Sequence, residues 1–212
     1  MNTMNVTENR IYKALEVLAN FLFLNVLWLF VAAPIFTIFP ATTALFGVVK
    51  DWITGKDNGF FFPFLRHLRK EFLQSLFIGA FWIPLGLILL LDIYAIYHMT
   101  GIIKLLLIPF TSIICLLYLA ASVYIFPVAV TYRLKSLHII RNSLLYALSY
   151  PHMTFVNILI ATCIVYLAWL LPLSVLITPS VGAYTMYLLC NNVFLKVERI
   201  RGLSRSEEEI KS

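Results

Sequence analysis

Residues Ser75–Tyr97 read SLFIGAFWIPLGLILLLDIYAIY, and Asp92 carries the one charge in that run. A helix that crosses a bilayer needs about 20 mostly apolar residues, and this segment meets the requirement. Four further runs extend the pattern outward from it, over about 16–39, 105–130, 153–177 and 180–195, the last of them short. The expected architecture is all-α: a polytopic membrane helix bundle of about five transmembrane helices, one membrane domain over 1–212, with a cytoplasmic tail over 196–212. Thr178-Pro179 supplies turn chemistry between the last two runs.

Composition agrees with that reading. The chain has 212 residues, 61% hydrophobic and 12% charged, with a mean hydropathy of +0.90. Soluble domains carry about 25% charged residues, and a globule this small could not hide so much apolar surface. A soluble enzyme, a secreted disulfide scaffold and a disordered chain are all excluded. Cys115, Cys163 and Cys190 each sit inside an apolar run with no Cys-x-x-Cys pair, so they read as packing residues and not as a disulfide or zinc framework. The first run is longer than the apolar core of a signal peptide, and Pro34 follows Ala32-Ala33 where cleavage would fall. It is read as a retained span.

The net charge of +6 comes from basic residues placed between apolar runs, so it reads as topology and not as nucleic-acid binding. With five spans, the N-terminus and second loop hold Arg10, Lys13 and Lys104. The opposite side holds five basic residues in the first loop (Lys50, Lys56, Arg66, Arg69, Lys70), three in the third (Arg133, Lys135, Arg141) and five in the tail (Lys196, Arg199, Arg201, Arg205, Lys211). The contrast of 13 against 3 predicts a multi-pass plasma-membrane protein with its N-terminus outside and its C-terminus cytoplasmic.

The first loop contains two amphipathic pieces, read as interfacial helices. Ala44, Leu45, Val48, Val49 and Trp52 recur at helical spacing opposite Lys50 and Asp51. Phe64, Leu65, Leu68 and Phe72 form a stripe opposite Arg66, His67, Arg69 and Lys70. Residues 54–59 are turn chemistry between them. In the third loop Leu134, Leu137, Leu144 and Leu148 share a face opposite Lys135 and His138. Basic amphipathic helices favour the headgroup layer and anionic lipid of the inner leaflet. They anchor topology, or they offer a cytoplasmic docking face built from Arg66, Arg69, Lys70, Arg133, Lys135 and Arg141. Ser204 and Glu207 fit a capping box for a short tail helix. Pro40-Ala41-Thr42-Thr43-Ala44-Leu45 is similar to Pro179-Ser180-Val181-Gly182-Ala183-Tyr184, each following a span with a tryptophan and a proline, as a duplicated unit would leave.

Few residues carry candidate chemistry. Asp92 near the outer end of its span and Lys104 at the start of the next are expected to form an ion pair at the outer interface, with a substrate or proton site as the alternative. Asn20, Asn25, Asn157, Asn191 and Asn192 are candidate interhelical polar contacts, or the lining of a polar path. Pro34, Pro84, Pro109, Pro127 and Pro172 punctuate the spans and predict kinks. Asn5-Val6-Thr7 matches a glycosylation acceptor by three letters alone. No metalloprotease, nucleophile-elbow or phosphate-loop motif occurs, and His67, His98, His138 and His152 are scattered over loops. No catalytic residue, metal or cofactor is expected.

Pro34-Ile35-Phe36-Thr37-Ile38-Phe39-Pro40-Ala41-Thr42-Thr43-Ala44-Leu45, then Asp51-Trp52-Ile53-Thr54-Gly55-Lys56-Asp57, then Phe60 to Pro63 and the basic run to Phe72, resembles the YesL-like family of bacterial integral membrane proteins, a domain of unknown function. The resemblance offers no catalytic residues. Because members accompany sugar-uptake ABC transporters, it implies a non-enzymatic accessory partner of carbohydrate uptake or its regulation, with a sugar ABC transporter or another membrane protein as partner. The alternative is a small-solute transporter or channel subunit with Asp92 and the span asparagines lining its path.

Overall fold

The computed structural model describes the backbone of residues 4–56, 59–132 and 134–211, and side chains within 15–199 of those segments. Among the described residues seven α-helices follow one another: α1 (Met4–Ala32), α2 (Ile38–Ile53), α3 (Phe61–His98), α4 (Ile102–Thr131), α5 (Ser136–Ser149), α6 (Pro151–Leu170) and α7 (Thr178–Lys211). Short 3-10 turns at Ile35–Thr37 and Pro172–Leu176 join α1 to α2 and α6 to α7. No strand occurs among the described residues. Helices α1, α3, α4 and α6 have the length and apolarity to cross a membrane.

Helix α2 sits at the centre. Ala41, Ala44, Leu45, Phe46, Val48 and Val49 are all buried, against α1, α3, α4 and α7. This corrects the expectation of an interfacial helix over 44–52. Small residues at 41, 44 and 47 let neighbouring backbones approach closely, and Phe126 of α4 stacks on Phe46 at 5.6 Å. The second expected interfacial piece is not separate either. It forms the first turns of the 38-residue α3, with Phe64 fully buried.

Prolines at helix ends explain two further corrections. The first apolar run breaks at Ala32, and the fourth at Leu170, because Pro34 and Pro172 start 3-10 turns. Pro84, Pro109 and Pro127 lie inside α3 and α4. The fifth run lies in α7, which continues through Lys211, so Ser204 is interior to a helix and not its cap. Helix α5 buries Ile139, Ser143 and Ala147 and exposes Leu137, Leu145 and Leu148. Its expected leucine face is therefore split, with Leu134 and Leu144 turned partly inward.

The chain reverses between α1 and α2. Trp28 Nε1 donates to Thr42 Oγ1 at 3.2 Å, and Phe21 meets Trp52 edge-on at 5.1 Å. Helix α2 thus runs back toward the start of α1, and the segment 50–70 lies at the same end of the bundle as that start. This corrects the expectation from charge placement, which sets the two on opposite sides. Thr43 and Ser75 (2.9 Å) set α3 antiparallel to α2, and Asp92 and Thr111 set α4 antiparallel to α3. Ser180 on Asn25 and Tyr184 on Phe21 set α7 antiparallel to α1.

Candidate functional site

The last turn of α2 and the first turns of α3 form a clasp. Asp51 is 5% exposed and accepts from Arg66 Nη2 at 2.9 Å, while His67 Nε2 lies 2.8 Å from the same oxygen. Gly47 makes this possible: a Cβ there would stand 2.4 Å from His67 Cγ, so only glycine lets the imidazole lie against α2. The chain then turns at Gly55, whose φ of +66° is left-handed. Trp52 Nε1 closes the turn on the Gly59 carbonyl at 2.8 Å.

Other ties gather at this end. Lys50 donates to the Val130 carbonyl at the end of α4, and burial holds its ammonium below the usual lysine range. Gln74 donates to the Leu134 carbonyl. Tyr187 and Thr131 hydroxyls meet at 3.1 Å. Tyr146 donates to Tyr132 at 2.9 Å, and Phe194 lies edge-on to both rings. Lys196 stands over the Tyr150 ring at 5.8 Å.

The expected docking residues divide. Arg66 belongs to the clasp, and Lys70 pairs with Glu71 at 2.8 Å. Arg69, Lys135 and Arg141 are exposed, and so are Phe62 and Leu137. Arg133 lies outside the described residues.

The expected Asp92–Lys104 pair does not form. Thr111 Oγ1 donates to Asp92 at 2.9 Å, and Lys104 donates to the Tyr97 carbonyl at 3.1 Å and stands over its ring. In an antiparallel hairpin Thr111 is level with Asp92, and Lys104 lies seven residues, about 10 Å, further along the axis. A shallow groove of about 430 Å³ opens nearby between Ile93, Ile96, Ile108, Thr111 and Leu116.

Among the asparagines, Asn25 donates to the Leu176 carbonyl (2.9 Å) and Ser180 Oγ (2.7 Å) and accepts from Ser180 N (3.0 Å), pinning α1 to the second turn. Asn157 is fully buried, with Nδ2 at 3.6 Å from Cys190 Sγ and Oδ1 unpartnered. Asn20 makes a polar interaction of its own. Asn191 is half-buried and Asn192 exposed, so Asn192 contacts no neighbouring helix through a buried amide. Among the described residues no His, Cys, Asp and Glu cluster has metal-site geometry.

A helical membrane-type bundle built round a clasped central helix is the class these features define. The chain belongs to the family described as "Protein of unknown function, DUF624", which matches residues 21–93, the stretch holding all of α2 and its clasp. It is 28% identical to "Uncharacterized protein YteU" of Bacillus subtilis (strain 168) over 207 residues, 95% of this chain and 93% of that one. It is 30% identical to "Uncharacterized protein YesV" of the same organism over 166 residues, 76% and 80% of the two chains. "Uncharacterized protein YesL" is 30% identical over 136 residues, 62% and 64%. No solved structure matches.

The clasp could have been found from sequence. Asp51 and the Arg66-His67 pair flank a two-glycine turn segment, and an acid and a base at the facing ends of two apolar helices invite pairing. The missing signal was depth: nothing local distinguishes α2 from a surface helix.

Proposed function

We propose that the protein is a non-catalytic accessory component of a membrane assembly, anchored in the plasma membrane with both termini in the cytoplasm, and that it docks its partner through its basic end. The observation that carries this is charge placement. By position in the fold, fourteen of the fifteen Lys and Arg residues whose backbone is described belong to one end, and Lys104 alone of these belongs to the other. Positively charged loops stay cytoplasmic, so the reversal between α1 and α2 supports an inward N-terminus in place of the outward one expected from sequence. Arg69 on α3 and Lys135 and Arg141 at α5 offer exposed positive charge, and Phe62 and Leu137 of the same two helices offer exposed apolar anchors. Anionic headgroups of the inner leaflet favour the same residues. Carbohydrate uptake is the context that the family resemblance suggests for the partner.

The test is purification from native membranes in mild detergent. Recovery of a sugar permease component or sensor with the native chain, lost with Arg69→Glu/Lys135→Glu/Arg141→Glu at equal protein level, supports the proposal. Solute uptake by vesicles holding this chain alone would overturn it in favour of a transporter.

A further inference from the structure

Of the turns away from the basic end, those joining α1 to α2 and α6 to α7 are apolar. The chain has no Asp, Glu, Lys or Arg from Val17 to Val49, or from Asn142 to Leu195. Ile35 is 76% exposed in the first turn and Leu173 81% exposed in the second. Turns that emerge into water are rich in Gly, Asn, Asp and Ser; these carry no charge, and the hydroxyls of Thr37 and Thr178 are turned onto backbone carbonyls of their own turns.

Their position along the bundle says where they lie. Phe39, just after the first turn, packs on Gly79 of α3. Helix α3 runs on from Gly79 to His98, about 29 Å at 1.5 Å per residue. The second turn is held by Asn25, below Trp28 and its partner Thr42, so it is no nearer the α3–α4 tip than the first. Over that remaining length Trp82, Tyr118 and Ser122 tie α3 to α4, and Leu87, Leu91, Leu105, Leu106 and Phe110 stand exposed. If the turns reached the far surface, that apolar hairpin would project into water. A hydrocarbon core is about 30 Å thick, so lipid covers the hairpin only if the turns stop inside the bilayer.

A turn in hydrocarbon must satisfy its own backbone, and each of these supplies partners from within itself or from α1. In the first, Pro34 and Pro40 lack donors, Thr37 N donates to the Pro34 carbonyl at 2.9 Å, and Thr37 Oγ1 donates to the Val31 and Pro34 carbonyls at 2.6 Å. In the second, Pro172 and Pro179 lack donors. Ser174 N donates to the Leu171 carbonyl at 2.8 Å and Ile177 N to the Ser174 carbonyl at 2.9 Å, and Thr178 Oγ1 donates to the Ser174 carbonyl at 2.9 Å. Asn25 takes the Leu176 carbonyl and the Ser180 N–H. Ser174 Oγ is the buried exception.

We propose that α1–α2 and α6–α7 are two re-entrant hairpins whose turns end among lipid acyl chains, so that α3 and α4 alone cross the bilayer. This rests on the membrane reading and not on the docking partner. The hairpins enter and leave on the basic side, and only the α3–α4 turn reaches the other.

The test uses full-length protein in which Cys115, Cys163 and Cys190 are replaced by Ala and single cysteines are added at Phe36, Leu173, Thr100 and Lys56. Intact cells and inside-out vesicles are treated with a membrane-impermeant maleimide, before and after detergent. Thr100→Cys is expected to react from one face and Lys56→Cys from the other. Phe36→Cys and Leu173→Cys react from neither face until detergent is added. Nitroxides on the latter two positions, in liposomes, are relaxed by oxygen and not by a water-soluble nickel chelate, which separates lipid from protein burial or an aqueous cavity. Labelling of Phe36→Cys or Leu173→Cys from the face that labels Thr100→Cys, or nickel access at either, overturns the proposal. Reaction of Lys56→Cys from the outer face with the turns still protected supports re-entry and overturns the cytoplasmic orientation instead.

Discussion

Gly47→Ala puts the central helix to a sharp test. A lone Gly→Ala change inside a helix stabilises by up to about 1 kcal/mol. At position 47 the new Cβ would stand 2.4 Å from His67 Cγ and 2.7 Å from Nδ1, so the ring must retreat by about 1 Å to reach ordinary contact. The ring is rigid and held at Asp51, not the free end of a flexible chain. Overpacking of this kind costs about 1–3 kcal/mol. If the ring lets go of Asp51, the lost hydrogen bond to a charged group adds about 1.5–3 kcal/mol. The net expectation is destabilisation by about 1–4 kcal/mol. At about 2–4 °C per kcal/mol for a chain of this size, the melting midpoint falls by several degrees in detergent, read by fluorescence-detected size exclusion after heating. The double variant Gly47→Ala/His67→Ala is expected to lose less than the two single losses added together, because the clash has been removed. A midpoint for Gly47→Ala equal to or above the native value would refute the close approach of His67 to α2.

Asp51→Ala removes the buried acceptor of both clasp partners and is expected to cost about 1.5–3 kcal/mol, the worth of a hydrogen bond to a charged group. Arg66→Ala, whose side chain is 57% exposed, costs under about 1 kcal/mol, and the same heating assay ranks them. Asn25→Ala leaves the Ser180 N–H and Leu176 carbonyl without their partner, and is expected to cost about 1–2 kcal/mol in detergent unfolding. Asp92→Asn keeps an acceptor for Thr111, so its midpoint shifts by less than about 1 kcal/mol; a large drop would show that the carboxylate charge is engaged elsewhere.

The fold class followed from hydropathy because a lipid-facing helix announces itself in composition. Helices α3, α4 and α6 appear where long apolar runs stand, and the resemblance over 34–72 fell within the residues that the family matches. Helix α2 was misplaced for a definite reason. Lys50 and Asp51 look like a wet face in the local pattern, yet they are satisfied by the Val130 carbonyl on α4 and by Arg66 and His67 on α3. Those partners lie fifteen to eighty residues away, beyond any helical period. The same blindness paired Asp92 with Lys104, since sequence distance gives the loop but not the register of the hairpin. The apolar turns are visible in the sequence, but hydropathy alone does not separate them from the ends of spans.

The burial of α2 on every side has a consequence for the order of assembly. Chains are made from the N-terminus, so α2 leaves the ribosome before the Arg66 and His67 that pair with its aspartate. Until they arrive, the segment carries Lys50 and Asp51 on an otherwise apolar cylinder, a poor guest for lipid. It is expected to stay at the membrane surface until α3 arrives to pair with it. A chain truncated after Ile53 is therefore expected to leave a cysteine at Leu45 open to an impermeant maleimide. In the complete chain that position is 1% exposed and is expected to stay unlabelled. Protection of Leu45→Cys in the truncated chain would show that α2 enters unaided.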